Sequence, residues 1–440
     1  MRRISSALTL TLAALMLTVG GAQGTVFGQT FITNTPQPTK IIFATNTPDV
    51  SLTPTETLPP TLAPTDTATA SPTPSETPSP TPVPIGPAVY PDGINSLTGL
   101  PYPDEAAQFR RNLMVKISNY PPIVRPQSGL NQADVIWEYE VEGGVTRFAA
   151  VFRTNAPTHV GPVRSGRLAD LEIAPMTNAL WAYSGSSEPI MNIVLDGEKT
   201  PWGYNIFSPQ FGDNCEDAGF CRFPKDGLAY EHTLYLDTNL LWTKADRRGV
   251  NIPERAKGFF FQEEAAPTDK TANDVFIDWY GQTSARWQYD PETGRYLRFT
   301  DGLPHFDAAD EQQVWVDNLI IIQAPHNDRP DLFEAESKSA SIEIELWNEP
   351  DGYYPAMVLR DGKLYDGFWA RKDRELGSGL QLKFGNNEPI PLKPGRSWVM
   401  VVRWLQNDVV LSDAYADMPA TATVIAENAT ATPTLTPSAP

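Results

Sequence analysis

The chain has 440 residues, 42 of them Pro and 30 Gly, with a formal net charge of −19. At 41% apolar it carries enough material for a core, which excludes wholesale disorder, and its length allows two or three domains. So acidic a chain is a poor general binder of nucleic acid or anionic membrane, and two cysteines and four histidines exclude a Cys-rich zinc module, a disulfide-dense miniprotein and a His-rich tract.

Arg2 and Arg3 form a positive start, followed by an apolar run at 7–19 and the small residues Gly20, Gly21, Ala22 and Gly24. The run fits a signal h-region and is short for a membrane span, so a signal peptide over 1–24 is expected, with export as its consequence. An uncleaved N-terminal anchor is the alternative, and with it membrane attachment. No cysteine precedes Cys215, so a lipobox cysteine is missing. Residues 25–91 read as a disordered stalk: within 31–91 there are 15 Pro and 15 Thr. Pro removes backbone donors and fixes φ, and little apolar surface is left to offset ordering entropy. The tail 418–440 repeats this composition and is expected to be disordered as well.

The fold class expected for the remainder is α+β: a mixed α/β domain over 92–245, a connection at 246–273, and a mostly antiparallel β domain over 274–417. Residues 112–119 read as a strand ended by Pro121-Pro122. In 134–141, Val135, Trp137, Tyr139 and Val141 point one way and Glu138, Glu140 and Glu142 the other. With the Gly143-Gly144 turn and a second alternating run at 145–153, this is a β-hairpin signal. Residues 168–176 and 188–195 read as helices, the latter with Pro189 in its first turn, and 179–183 as a strand. From about 274 the strand-like runs are 275–280, 285–289, 295–299, 314–323, 342–347, 356–360, 363–370 and 397–403. Asp361-Gly362 between two alternating runs is a hairpin cue.

Eight basic residues concentrate in 110–167, opposed only by Asp134, Glu138, Glu140 and Glu142. The arginine fork suits carboxylate or phosphate. Arg125, Arg147, Arg164 and Arg167 lie beside Gly, Pro or Ser, at loop positions where binding residues concentrate. Arg125, Arg147, Arg164, Ser165 and Arg167 are therefore the candidate ligand-binding residues, for an anionic group. The competing reading pairs these arginines with the domain's own carboxylates, Glu142 first among them. The serines around Ser184 lack the G-x-S-x-G pattern, and Ser187 reads as a helix N-cap. His232 and Glu142 are the candidate acid/base groups if the protein is catalytic. His159, His305 and His326 are isolated; no metal and no cofactor is expected. Cys215 and Cys221 frame a C-x5-C loop, and in an exported chain with an even cysteine count an intra-loop disulfide is expected over two free thiols.

Four segments of the first part, Leu97-Thr98-Gly99-Leu100-Pro101, Arg125-Pro126-Gln127-Ser128-Gly129-Leu130, Val141-Glu142-Gly143-Gly144-Val145-Thr146-Arg147-Phe148 and Val160-Gly161-Pro162-Val163-Arg164-Ser165, make the chain similar to the YerB-like lipoproteins, a bacterial envelope family with a two-part domain of unknown function. The similarity resumes with Pro304-His305-Phe306-Asp307 and Pro394-Gly395-Arg396-Ser397-Trp398. Two departures stand out: the lipobox cysteine is absent, and the family's Pro-His-Asn-Leu-Tyr stretch is here Glu231-His232-Thr233-Leu234-Tyr235. The resemblance implies a cell-surface location and no activity. The reading that follows is an exported accessory or binding protein recognising an anionic cell-wall polymer or an envelope protein, without nucleic acid. The alternative is a hydrolase or transferase acting on such polymers.

Overall fold

The computed structural model describes residues 85–279, 282–335, 338–348, 354–371 and 373–413. The expected signal segment, most of the Pro/Thr-rich stretch and the tail expected at 418–440 lie outside the described residues. Six short helices carry the labels α1 (Glu105–Phe109), α2 (Asp170–Met176), α3 (Glu188–Leu195), α4 (Cys215–Ala218), α5 (Thr238–Arg248) and α6 (Leu405–Asp408). The first part contributes strands β1 (Asn112–Ser118), β2 (Val135–Val141), β3 (Val145–Phe152), β4 (Ala179–Ala182), β5 (Ile206–Phe207), β6 (Phe220–Arg222) and β7 (Leu234–Leu236). The second contributes β8 (Asp274–Asp278), β9 (Ser284–Asp290), β10 (Arg295–Thr300), β11 (Leu303–Pro304), β12 (Trp315–Val316), β13 (Asn318–Gln323), β14 (His326–Glu334), β15 (Ser339–Ile344), β16 (Tyr354–Arg360), β17 (Lys363–Ala370), β18 (Gln381–Lys383), β19 (Ser397–Val402) and β20 (Val409–Ser412). The fold is α+β, with a mixed first part and a mostly antiparallel β second part.

The two parts share one sheet. Its order is β18-β17-β16-β13-β19-β2-β3-β1-β4-β5, and β19 of the second part runs parallel to β2 of the first. Both faces of this sheet are covered by apolar clusters. That double burial explains why β1 is buried along its whole length and why β2 keeps its period of two while burying both of its faces. On the polar side of the alternation, Glu138 meets the buried Arg298 and Glu140 the partly exposed Arg403.

Two expected boundaries move. The described chain begins at Ile85, inside the stretch read as stalk: Ile85 bridges Phe261, and the buried Tyr90 donates its hydroxyl to the Phe259 carbonyl at 2.6 Å. The segment expected as a connection, 246–273, begins within α5 and then threads Phe259 and Phe261 into the core. In both places isolated aromatic side chains supply the burial that Pro- and charge-rich surroundings conceal in the sequence. The strand β14 was not legible either, since its charged His-Asn-Asp-Arg-Pro-Asp run has no apolar alternation.

Candidate functional site

Strands β1, β2 and β3 set the site by register. Lys116 pairs with Ala149, and Arg147 lies between Ser118 and Tyr139, so Lys116, Tyr139 and Arg147 share one face of the sheet. Helix α2 brings Asp170 to that face. Lys116 and Asp170 are wholly buried, with Nζ 3.2 Å from Oδ1, and the ammonium sits 3.9 Å from the centre of the Tyr139 ring. The Tyr139 hydroxyl donates to Asp170 and accepts from Lys116. The other Asp170 oxygen accepts from the Arg167 backbone N–H at 2.8 Å. Burial pushes the Lys116 ammonium down, and Arg147 and Arg167 push it further; Asp170 pulls the other way, and the result is about 7. Burial, with Asp170 beside it, raises the Tyr139 phenol.

The segment 160–167 lays the arginines against this pair. Its backbone is held by Val163 N–H to the Leu234 carbonyl at 2.7 Å, and by Arg164 N–H to the Lys116 carbonyl at 2.9 Å. Gly161 is required there: at φ +155° a Cβ would stand 2.9 Å from the Leu234 carbonyl. The Ser184 and Gly185 backbone pairs with Arg164 and Gly166 on the other side. Arg167 Nε is 2.5 Å from Glu142 Oε2, and Glu142 Oε1 accepts from the Ile342 backbone N–H at 3.1 Å. Arg147 donates one hydrogen bond, from Nη1 to the Ser165 carbonyl at 2.9 Å. Burial, then Arg167 and Arg164, hold its guanidinium well below the usual value, while Glu142 and Tyr139 oppose them only in part. Repulsion of this strength acts between charges that are near one another, so Arg164 and Arg167 lie near Arg147.

His232 borders the same cluster. It is buried, its Nε2 lies 4.0 Å from Glu231 Oε1, and its Nδ1 has no partner among the described residues. Burial lowers its pKa; Arg164 and Arg147 lower it further, against a rise from Glu231. The structure thus brings together Arg147, Arg164, Ser165, Arg167, Glu142 and His232. Ser165 contributes its carbonyl. Lys116 pairs with Asp170 and Arg167 with Glu142, both carboxylates buried, while Arg147 and Arg164 lie nearby and the exposed Glu231 stands beside His232.

Arg125 does not join them. Its Nη1 lies 2.5 Å from Asp301 Oδ2, and its Nη2 donates to the Asn119 carbonyl at 2.8 Å. It thereby faces β10 on the other side of the sheet. Glu142 pairs with Arg167, as the competing reading of these arginines expects for one of them. Burial alone would raise the Glu142 carboxyl, but Arg167, backbone N–H groups and Arg147 bring it below the ordinary range. A carboxylate so held is a poor proton acceptor. Ser187 occupies the N-cap position of α3, yet its hydroxyl donates to Glu334 at 2.6 Å instead of capping the helix. Cys215 and Cys221 are disulfide-bonded and join α4 to β6.

Three members of the cluster, Lys116, Tyr139 and Asp170, were absent from the candidate residues. Lys116 carries a readable signal, a single lysine inside the apolar run Leu113-Met114-Val115-Lys116-Ile117. A charge there needs a buried partner, and nothing in the sequence says which one.

Residues 97–251 match the family described as protein of unknown function (DUF3048) N-terminal domain, and residues 275–399 match its C-terminal domain. The "Putative lipoprotein YerB" of Bacillus subtilis (strain 168) is 24% identical over 311 residues, covering 70% of this chain and 85% of that protein. A crystal structure of the YerB protein from Bacillus subtilis superposes with a TM-score of 0.59 at 21% identity, over 73% of this chain and 99% of that one. This likeness concerns the fold.

Proposed function

This chain belongs to the DUF3048 family, and from that premise we propose that it is an exported cell-envelope binding protein whose first part holds an anionic group, a phosphate or carboxylate of a cell-wall polymer. The lipoprotein name of its Bacillus subtilis relative supports an envelope location. One observation supports the ligand reading: Arg147, Arg164 and Arg167 lie near one another beside the buried Lys116–Asp170 pair. A concentration of arginines in a chain of net charge −19 is a local positive focus that would draw an anion. Arg147, with one hydrogen bond among its five donors, has donors to spare for such a group.

A second reading, an enzyme acting on such polymers, draws on His232. Its unpartnered Nδ1 and depressed pKa suit a neutral base beside Arg164. In that reading Glu142 drops out, because both of its oxygens are engaged.

The test is a binding titration of the full chain against phosphate-rich cell-wall polymer and against the same polymer stripped of phosphate. Arg164→Ala is expected to weaken binding to the first about tenfold or more. Added salt weakens the wild type. Equal binding to both polymers defeats the anion reading. Release of product, lost in His232→Ala, favours the enzyme.

A further inference from the structure

A cleft of about 850 Å³ lies between the two parts of the molecule. One wall is α2, α3 and the segment ending at Trp202; the other is the β14–β15 hairpin with Trp347 and Arg374. Trp202 and Trp347 are half-buried, so each offers part of an indole to the cleft. Leu171, Ile193 and Leu332 add apolar surface between them.

Most of the polar groups on the β14–β15 side and at Glu172 are held in place. Arg329 grips Asp331 through Nε at 2.9 Å and Nη2 at 2.7 Å, and reaches Glu343 through Nη1 at 3.0 Å. Glu172 is held by Arg371 at 2.8 Å and by Arg374. Glu345 accepts from Asn327 at 2.6 Å. Carboxylates outnumber cations in the lining by five to three.

We infer that this cleft binds an uncharged oligosaccharide. Sugar hydroxyls are donors, and the lining is rich in acceptors whose spare lone pairs are oriented in advance, so little ordering entropy remains to be lost. The C–H faces of sugar rings are apolar and flat, which suits partly exposed indoles. With most of the lining carboxylates paired to arginine, the cleft has little net field to draw the phosphate or carboxylate polymers that the arginine cluster attracts. Most of these carboxylates are already neutralised by arginine, which favours neutral donors over the ammonium groups of a lysine-rich peptide. The inference does not rest on the anion site.

Isothermal titration of the full chain with a soluble, neutral oligomer of N-acetylglucosamine tests it. Saturable binding is expected, little changed by high salt. Trp347→Ala should weaken it about tenfold or more and Glu345→Gln severalfold, with binding to phosphate-rich polymer retained in both variants. Because Glu345→Gln is nearly isosteric, it keeps the test valid if the tryptophan variant folds poorly. The inference is overturned if the oligomer gives no saturable heat, or if Glu345→Gln binds it as wild type. Salt-sensitive binding of a lysine-rich peptide without oligosaccharide binding also overturns it, in favour of a peptide site.

Discussion

The two faces of strands β1–β3 each bury charge, and they do so differently. On one face Glu138 and Arg298 are both wholly buried 2.9 Å apart. The same carboxylate accepts from Thr146 at 2.9 Å and from the Trp398 indole N–H at 3.1 Å. Arg298 Nε is 3.1 Å from His305 Nδ1, and His305 Nε2 is 2.6 Å from Gln127 Oε1. Burial, Arg298 and Arg125 hold His305 well below the usual imidazole range, so it stays neutral. This network pairs one acid with one base and ties the second part to the first. On the opposite face Arg147, Arg164 and Arg167 crowd beside the buried Lys116–Asp170 and Arg167–Glu142 pairs. A balanced buried pair reads as a joint, and crowded arginines as a place for a counter-ion.

The largest expected effect breaks the joint. Glu138→Ala leaves Arg298 buried without its acid and should cost about 3–5 kcal/mol in denaturant unfolding. If stability falls by less than about 1 kcal/mol, the pair is not the closed joint described.

The second effect sharpens the other face. Lys116 titrates near 7 in the folded state, below its ordinary 10.5. Between these values the unfolded chain binds the proton and the folded chain does not, so stability rises with pH across that window. Below about 7 both states hold the proton and this dependence vanishes. Lys116→Met should remove a rise on the order of 2 kcal/mol between neutral pH and about pH 9. Identical pH profiles of unfolding for the two proteins would show that Asp170 keeps Lys116 charged throughout.

The smallest effect separates the faces by function. Arg147 is repelled by its neighbours and makes one hydrogen bond. Arg147→Met is therefore expected to leave the melting temperature nearly unchanged while weakening phosphate-polymer binding about tenfold, or ~1.4 kcal/mol. A lowered melting temperature with unchanged binding would return Arg147 to the framework of the fold.

Local patterns carried much of the architecture. The β2–β3 hairpin followed from alternation around Gly143-Gly144, α3 from Pro189 and its apolar spacing, and the Cys215–Cys221 bridge from loop spacing and an even count. Segments without alternation, such as β14 and the return of Ile85 to Phe261, stayed hidden because their pairing is set by distant partners.

The sequence by itself determined the α+β class and the concentration of arginines, since strand period, turn chemistry and charge are properties of neighbouring residues. Only the tertiary structure decided how those arginines divide. Arg125 and Arg147 are 22 positions apart, yet one faces Asp301 and the other Arg164 and Arg167 on the opposite side of the sheet. Lys116 meets Asp170 across 54 positions, and Glu142 meets Ile342 across 200. Such contacts depend on strand order and register, and in this sheet apolar clusters on both sides bury both faces of β2, a strand that is amphipathic on its own.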